Sequence, residues 1–186
     1  MLELSIALPI KVQNGGLFIS RGVGRHPARK LSSWEIIFVE KGTLTIQEEN
    51  TLFEVNAGES LLLWPKRRHV GVEDFPGDLK FYWLHFEVDE GLPVLPGATP
   101  LSIEQHCSVR DPQYVIALFR QFLSEQEKLQ RSQALEIILL LILQQISLSP
   151  GYEDKADDAG AAMAWKAKQL IRTHFHLPIS TSQLAK

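Results

Sequence analysis

WEIIFVEKGTLTIQ, residues 34–47, holds two runs rich in β-branched and aromatic side chains on either side of Lys41-Gly42. Such side chains fit the pleated, half-buried surface of a strand, and a Gly between two runs supplies the backbone freedom of a turn. Trp34–Val39 and Thr43–Gln47 are therefore expected to be strands joined as a hairpin. Outward from this stretch the texture continues. Phe53–Val55, Leu61–Trp64 and Leu79–Val88 are further strand candidates, broken by Asn56-Ala57-Gly58, by Pro65 and by Pro76-Gly77-Asp78. The N-terminal MLELSIALPIKVQNG has no basic stretch ahead of its apolar residues and no small-residue cleavage site, so it reads as a strand rather than a secretion signal. Many short strands with regular turn signals predict an all-β barrel or sandwich over residues 1–110.

From residue 111 the period changes. Asp111 followed by Pro112 marks a helix start, with Asp as N-cap and Pro at the first helical position. Tyr114, Val115, Leu118, Phe119, Phe122 and Leu129 then recur at helical spacing as one apolar stripe. A second helix is expected to begin near Ser132, with Leu135, Ile138, Leu139, Ile142 and Ile146 on one face. A second apolar face carries Ile137, Leu140, Leu141 and Leu148. A barrel covers only one face of a helix, so the other needs a further surface. Either both faces are buried within this chain, or the second face is a dimer interface; the expectation is a homodimer. Residues 150–160, PGYEDKADDAG, form an acidic linker unable to build a core. Residues 161–186 carry Lys166, Lys168, Arg172 and Lys186 and no acid. A helix over Ala161–Phe175, a break at Pro178, and Ser180 with Gln183 three positions on suggest the opening of a helix-turn-helix unit.

Composition bounds the function classes. At 186 residues, 45% hydrophobic and 22% charged, the chain can bury a core. A net charge of −3 does not suit a chain that binds nucleic acid over its whole surface. Cys107 is the only cysteine, which excludes an internal disulfide and fits a cytoplasmic location. The longest purely apolar run, Ile137–Leu143, is far short of the roughly 20 residues that span a bilayer, so no membrane association is expected.

Two regions carry a resemblance. WKAKQLIRTHFHLPISTSQLAK, residues 165–186, resembles the opening of the AraC/XylS-type DNA-binding domain through Phe175-His176, Pro178-Ile179-Ser180 and Leu184-Ala185. Upstream, WEIIFVEKG (residues 34–42), GESLLLWPKRRH (58–69) and FYWLHF (81–86) are similar, in order, to strands of that family's N-terminal barrel. The resemblance implies a cupin-like, jelly-roll effector-binding barrel over 1–110, then dimerisation helices over 111–149. The linker 150–160 and the truncated start of an all-α helix-turn-helix domain over 161–186 would follow. It also implies a bacterial transcription regulator whose small-molecule effector, a sugar by analogy, controls DNA binding by a C-terminal domain mostly beyond Lys186.

The competing class is a small cupin enzyme, an isomerase or a dioxygenase. Metal-dependent cupins place two His on one strand ahead of a Glu, and a further His on a later strand. Here Glu35 and His69 occupy matching positions, but the upstream His positions fall at about Ala28 to Leu31, none of which is histidine, and His26 lies too early. Two donors are fewer than the three that a catalytic transition metal commonly uses. No metal, no cofactor and no catalysis are therefore expected. No phosphate loop and no Gly-x-Ser-x-Gly elbow is present either. Strand alternation groups Glu35 with Ile37 and Val39, and His85 with Trp83 and Phe81. Glu35, Ile37, His69, Trp83 and His85 are the expected ligand-binding residues: an aromatic floor with a carboxylate and imidazoles suits a small, partly polar molecule. Glu35 and His69 would otherwise be structural groups at the barrel mouth, and Phe81 plain core. Lys66-Arg67-Arg68 is a solvated rim or a lure for an anionic ligand.

Overall fold

The computed structural model describes residues 1–3, 6–89, 91 and 100–148. The expected linker and the expected start of a DNA-binding domain lie outside the described residues.

Among the described residues, nine strands and two helices follow in order: β1 (Ile10–Ile19), β2 (Arg29–Lys30), β3 (Trp34–Lys41), β4 (Thr43–Glu48), β5 (Thr51–Asn56), β6 (Glu59–Leu63), β7 (Arg68–Gly71), β8 (Lys80–Val88), β9 (His106–Ser108), α1 (Pro112–Gln126) and α2 (Ala134–Ser147). They form a five-stranded sheet, β1-β8-β3-β6-β9, and a four-stranded sheet, β2-β7-β4-β5. Among the described residues, every strand pair is antiparallel. This is the expected β-barrel architecture with a helical pair attached.

The expected hairpin at Lys41-Gly42 does not form. β3 pairs with β6 and β8, whereas β4 pairs with β5 and β7, so the chain passes from one sheet to the other at Gly42. Both Ile37/Val39 and Leu44/Ile46 belong to one buried cluster between the sheets. Turning the corner lets both strands face that core. Gly42 permits the corner: its φ is +76°, and a Cβ there would lie 3.0 Å from the Cα of Leu79. The close hairpin is instead β4–β5, turned through Glu49 at φ 49° and Asn50.

β3 and β8 are buried on both faces, which explains their unbroken apolar runs. Their inward residues join the cluster between the sheets. Their outward residues, Ile36, Phe38, Tyr82, Leu84 and Phe86, join a second cluster with α1 and α2. Asp111 caps α1 as expected, its side chain accepting from the Tyr114 N–H at 3.0 Å. Tyr114 and Leu129, expected on the buried stripe, are exposed. The helix ends at Gln126, so the stripe stops with Leu123 and Leu129 lies past the last turn. In α2 the face of Leu135, Ile138, Leu139, Ile142 and Ile146 is buried. Among the described residues, no helix is long and apolar enough to cross a membrane.

One buried carboxylate ties α2 to the sheet. Glu136 accepts from the Val12 N–H at 3.2 Å and from Arg131 Nη2 at 2.7 Å, while Arg131 also donates to the Val12 carbonyl. Burial pushes the Glu136 carboxyl up, but the Arg131 and Val12 hydrogen bonds outweigh it and hold it below its ordinary value. A depressed folded-state value contributes stability that is present above the unfolded value, near 4.3, and lost as pH falls through the folded one. Glu136→Gln is thus expected to melt below the wild type at pH 7, the gap closing as the pH drops below about 4. Melting curves from pH 7 to pH 3 check this; a gap independent of pH would show that the charge contributes nothing.

Candidate functional site

Four polar side chains meet inside the otherwise apolar barrel. β3 contributes Glu35 and β8 contributes His85 directly opposite it, both from the five-stranded sheet. β7 brings His69 from the other sheet, where it pairs with Arg29 of β2 and Glu48 of β4. The fourth, His26, comes from the loop between β1 and β2. Sequence spacing discounts His26, yet the fold buries it beside His69, with ring centroids 5.3 Å apart. The cause is a local tether. The Gly71 N–H donates to the His26 carbonyl at 3.0 Å, and a Cβ on Gly71 would lie 2.5 Å from the His26 nitrogen. Only glycine lets the loop lie this close to β7. The expected tally of two donors is thereby corrected: His26, Glu35 and His69 each offer a donor atom, all within 4.8 Å of one another.

The electrostatics follow from burial. Oε2 of Glu35 lies 3.3 Å from His85 Nε2 and 3.7 Å from His69 Nε2. Desolvation pushes the Glu35 carboxyl up, but the neighbouring His85, with help from His26 and His69, outweighs it and holds the group below the usual glutamate value. Desolvation lowers His26 and His69, only partly offset by the Glu35 charge. The cluster thus sets a carboxylate beside two imidazoles, His26 and His69, whose burial favours the neutral form. Several of its atoms are buried without any hydrogen bond: Glu35 Oε2, both ring nitrogens of His69, and His85 Nε2. Buried polar atoms are normally satisfied, so a group of such atoms points to something that belongs between them.

Around the cluster the barrel wall is aromatic. Trp83 shares the inward face with His85, at a centroid distance of 5.0 Å, and both are half-buried. Phe18 stacks on Phe81 at 4.8 Å and touches Phe75 at 4.6 Å. Phe18, Phe53, Phe75 and Trp83 remain half-buried on the rim of the inner cluster, while Ile37 and Phe81 are fully packed. Trp83 is the half-buried ring nearest to His85 on the inner face of β8. β1 makes room for it: a Cβ on Gly16 would lie 2.7 Å from the Trp83 ring, and one on Gly15, facing outward, 2.7 Å from Phe122. Sequence reasoning missed Phe18, Phe75, Gly16 and Gly71; the Gly15-Gly16 pair inside a strand was the available signal.

Arg67 of the cationic loop is tied down. It lies over the Trp64 ring at 4.6 Å and pairs with buried Glu48 at 3.4 Å. Glu48 also accepts from the Trp64 N–H and from Gln105 Nε2, each at 2.6 Å. Arg67 is thus braced from beneath, while Lys66, Arg67 and Arg68 all remain exposed. On α2, the expected interface residues divide: Ile137 and Leu148 are exposed, whereas Leu140 and Leu141 are half-buried. Leu140 turns toward an apolar groove of about 360 Å³ lined by Trp34, Leu62, Trp64 and Phe86.

The family model described as AraC-like ligand binding domain matches residues 20–143, from the β1 end through most of α2. The chain belongs to this family. The Glu35–His69–His85 cluster falls within the matched segment. The chain is 38% identical over 77 residues to YisR of Bacillus subtilis, an uncharacterized HTH-type transcriptional regulator. That similarity covers 38% of the chain and only 27% of the regulator's length. Among solved structures, the plu4264 protein of Photorhabdus luminescens is 20% identical, with a TM-score of 0.35 over 43% of this chain and 64% of that one. A cupin 2 conserved barrel protein of Salinispora arenicola is 16% identical, with a TM-score of 0.35 over 46% of this chain and 69% of that one.

Proposed function

We propose that this AraC-like domain binds a small, partly polar effector inside its barrel and transmits its occupancy to a helix-turn-helix domain that contacts DNA. The observation that carries this reading is the set of unpartnered polar atoms on Glu35, His69 and His85, buried within the family-matched barrel beside a half-buried Trp83. Polar groups few in number and set in an aromatic wall orient a small ligand and reject others. A sugar fits this chemistry, since hydroxyls bond to carboxylate and imidazole while a ring face packs on Trp83. Ile37, next to Glu35 on the inner face, is fully packed and backs the site from within the core. The chain acts as a homodimer through Ile137, Leu140, Leu141 and Leu148, works in the cytoplasm, and is not itself an enzyme. The relative's identity as an HTH-type regulator supports regulation over catalysis.

A thermal-shift screen of sugars and other carbon sources tests the proposal. A ligand that binds only the native state raises the melting temperature, by mass action. At least one compound class is expected to do so in a saturable way; a broad library with no saturable shift contradicts effector binding.

A further inference from the structure

We propose that His26, Glu35 and His69 bind a divalent transition-metal ion inside the barrel, next to His85. The proposal deepens the effector reading and rests on the same site: with Glu35 and His69 engaged by an ion, an effector would meet the ion's open position rather than those atoms.

Geometry carries the argument. Donors on a zinc-like ion with bonds of about 2.1 Å lie on the order of 3.4 Å apart in a tetrahedron. Glu35 Oε2 and His69 Nε2 are already 3.7 Å apart, and no donor separation in the trio exceeds 4.8 Å. Side-chain adjustments of roughly 1 Å would close the set around such an ion.

Each member is also prepared for the role. Pro27 accepts from the His26 Nδ1–H at 3.0 Å, which leaves Nε2 as the nitrogen with a free lone pair. A histidine ligand is typically oriented in this way, by a carbonyl on its other nitrogen. His69 is buried, yet neither ring nitrogen has a hydrogen-bond partner. An imidazole that merely filled the core would leave both nitrogens desolvated and uncompensated. Glu35 Oε2 is likewise buried and unbonded, with His85 Nε2 at 3.3 Å on the same oxygen.

Donor chemistry selects the ion. Two imidazoles and a carboxylate suit zinc, cobalt, nickel or iron, whereas calcium and magnesium require oxygen-rich shells. With three protein donors, one position on a tetrahedral ion stays open to water or to an oxygen of a bound molecule.

The test uses the whole chain, stripped by chelator and then dialysed against Co2+ or Zn2+, with elemental analysis of the retained ion. One equivalent per chain is expected, with a visible absorption band from bound Co2+. His26→Ala and His69→Ala are expected to lower affinity at least tenfold, a loss that even groups behind the ligands can produce. His106→Ala, whose ring instead pairs with Glu59 at 2.9 Å, should leave uptake unchanged. Circular dichroism verifies that each variant folds. X-ray absorption on the zinc-loaded wild type needs no variant and is expected to show two imidazole ligands. A wild-type chain that retains no ion, a zinc shell of oxygen alone, or uptake that survives loss of both His26 and His69 overturns the proposal. The ligand screen, run without metal, is decided separately.

Discussion

Glutamate placed at both Ile137 and Leu141 is expected to convert the proposed homodimer into monomers while leaving the barrel folded. α2 uses one face against the sheet and α1, burying Leu135, Ile138, Leu139, Ile142 and Ile146. The other face carries Ile137, 43% exposed, half-buried Leu141 and Leu148, 42% exposed, with the exposed polar Gln144 among them. Exposed apolar surface of this kind on a monomer commonly marks an association site. A two-fold axis would bury both copies with one self-complementary surface. Two carboxylates per chain at its centre would face their symmetry mates, desolvated and of like charge. The expected effect is a weakening of at least a hundredfold, equivalent to about 3 kcal/mol. Sedimentation equilibrium checks it: the wild type should be dimeric at tens of micromolar and the double variant monomeric with an unchanged circular dichroism spectrum. A wild type that is monomeric in that range contradicts the interface.

Phe119→Ala is expected to remove roughly 3–5 kcal/mol of folding stability, the usual loss for a large aromatic deleted from a core. Phe119 is fully buried and joins α1 to the outer face of the five-stranded sheet. Its ring stacks on Tyr82 at 5.0 Å and on Phe38 at 6.2 Å. These contacts connect the helical pair to β3 and β8, the same strands that carry Glu35 and His85 on their inner faces. Urea denaturation is expected to show a lower midpoint with the slope retained. A loss under about 1 kcal/mol would mean that α1 is only loosely docked and that the helices are not part of the barrel's cooperative unit.

The architecture was legible where one physical rule decided it. Alternation in β3 and β8 grouped Glu35 with Ile37 and His85 with Trp83, because successive strand residues face opposite sides. Asp111-Pro112 announced α1, because an Asp oxygen and a missing Pro N–H both suit a helix start. What stayed hidden depends on contacts between distant segments. The Lys41-Gly42 step looks like a hairpin locally, yet the shared core of Ile37 and Ile46 turns it into a corner between sheets. β2 and β9, of two and three residues, have no pattern long enough to read. His26 falls outside any ligand spacing, and only the absence of a Cβ on Gly71 brings its loop against β7. Leu140 and Ile137 look equivalent on a helical wheel, but the groove beside Trp34 and Trp64 half-buries the first and leaves the second exposed.

The central claim is that the inner face around Trp83 is a binding surface rather than plain core. Trp83→Ala separates the two, with ligand affinity measured by calorimetry for a compound taken from the screen and melting temperature measured on the same samples. A pure core tryptophan would lose roughly 3–5 kcal/mol of stability on truncation. Trp83 is half-buried beside His85, so a smaller stability loss is expected, together with at least a tenfold loss of affinity. Unchanged affinity in a variant that still folds would contradict the account and place the effector elsewhere.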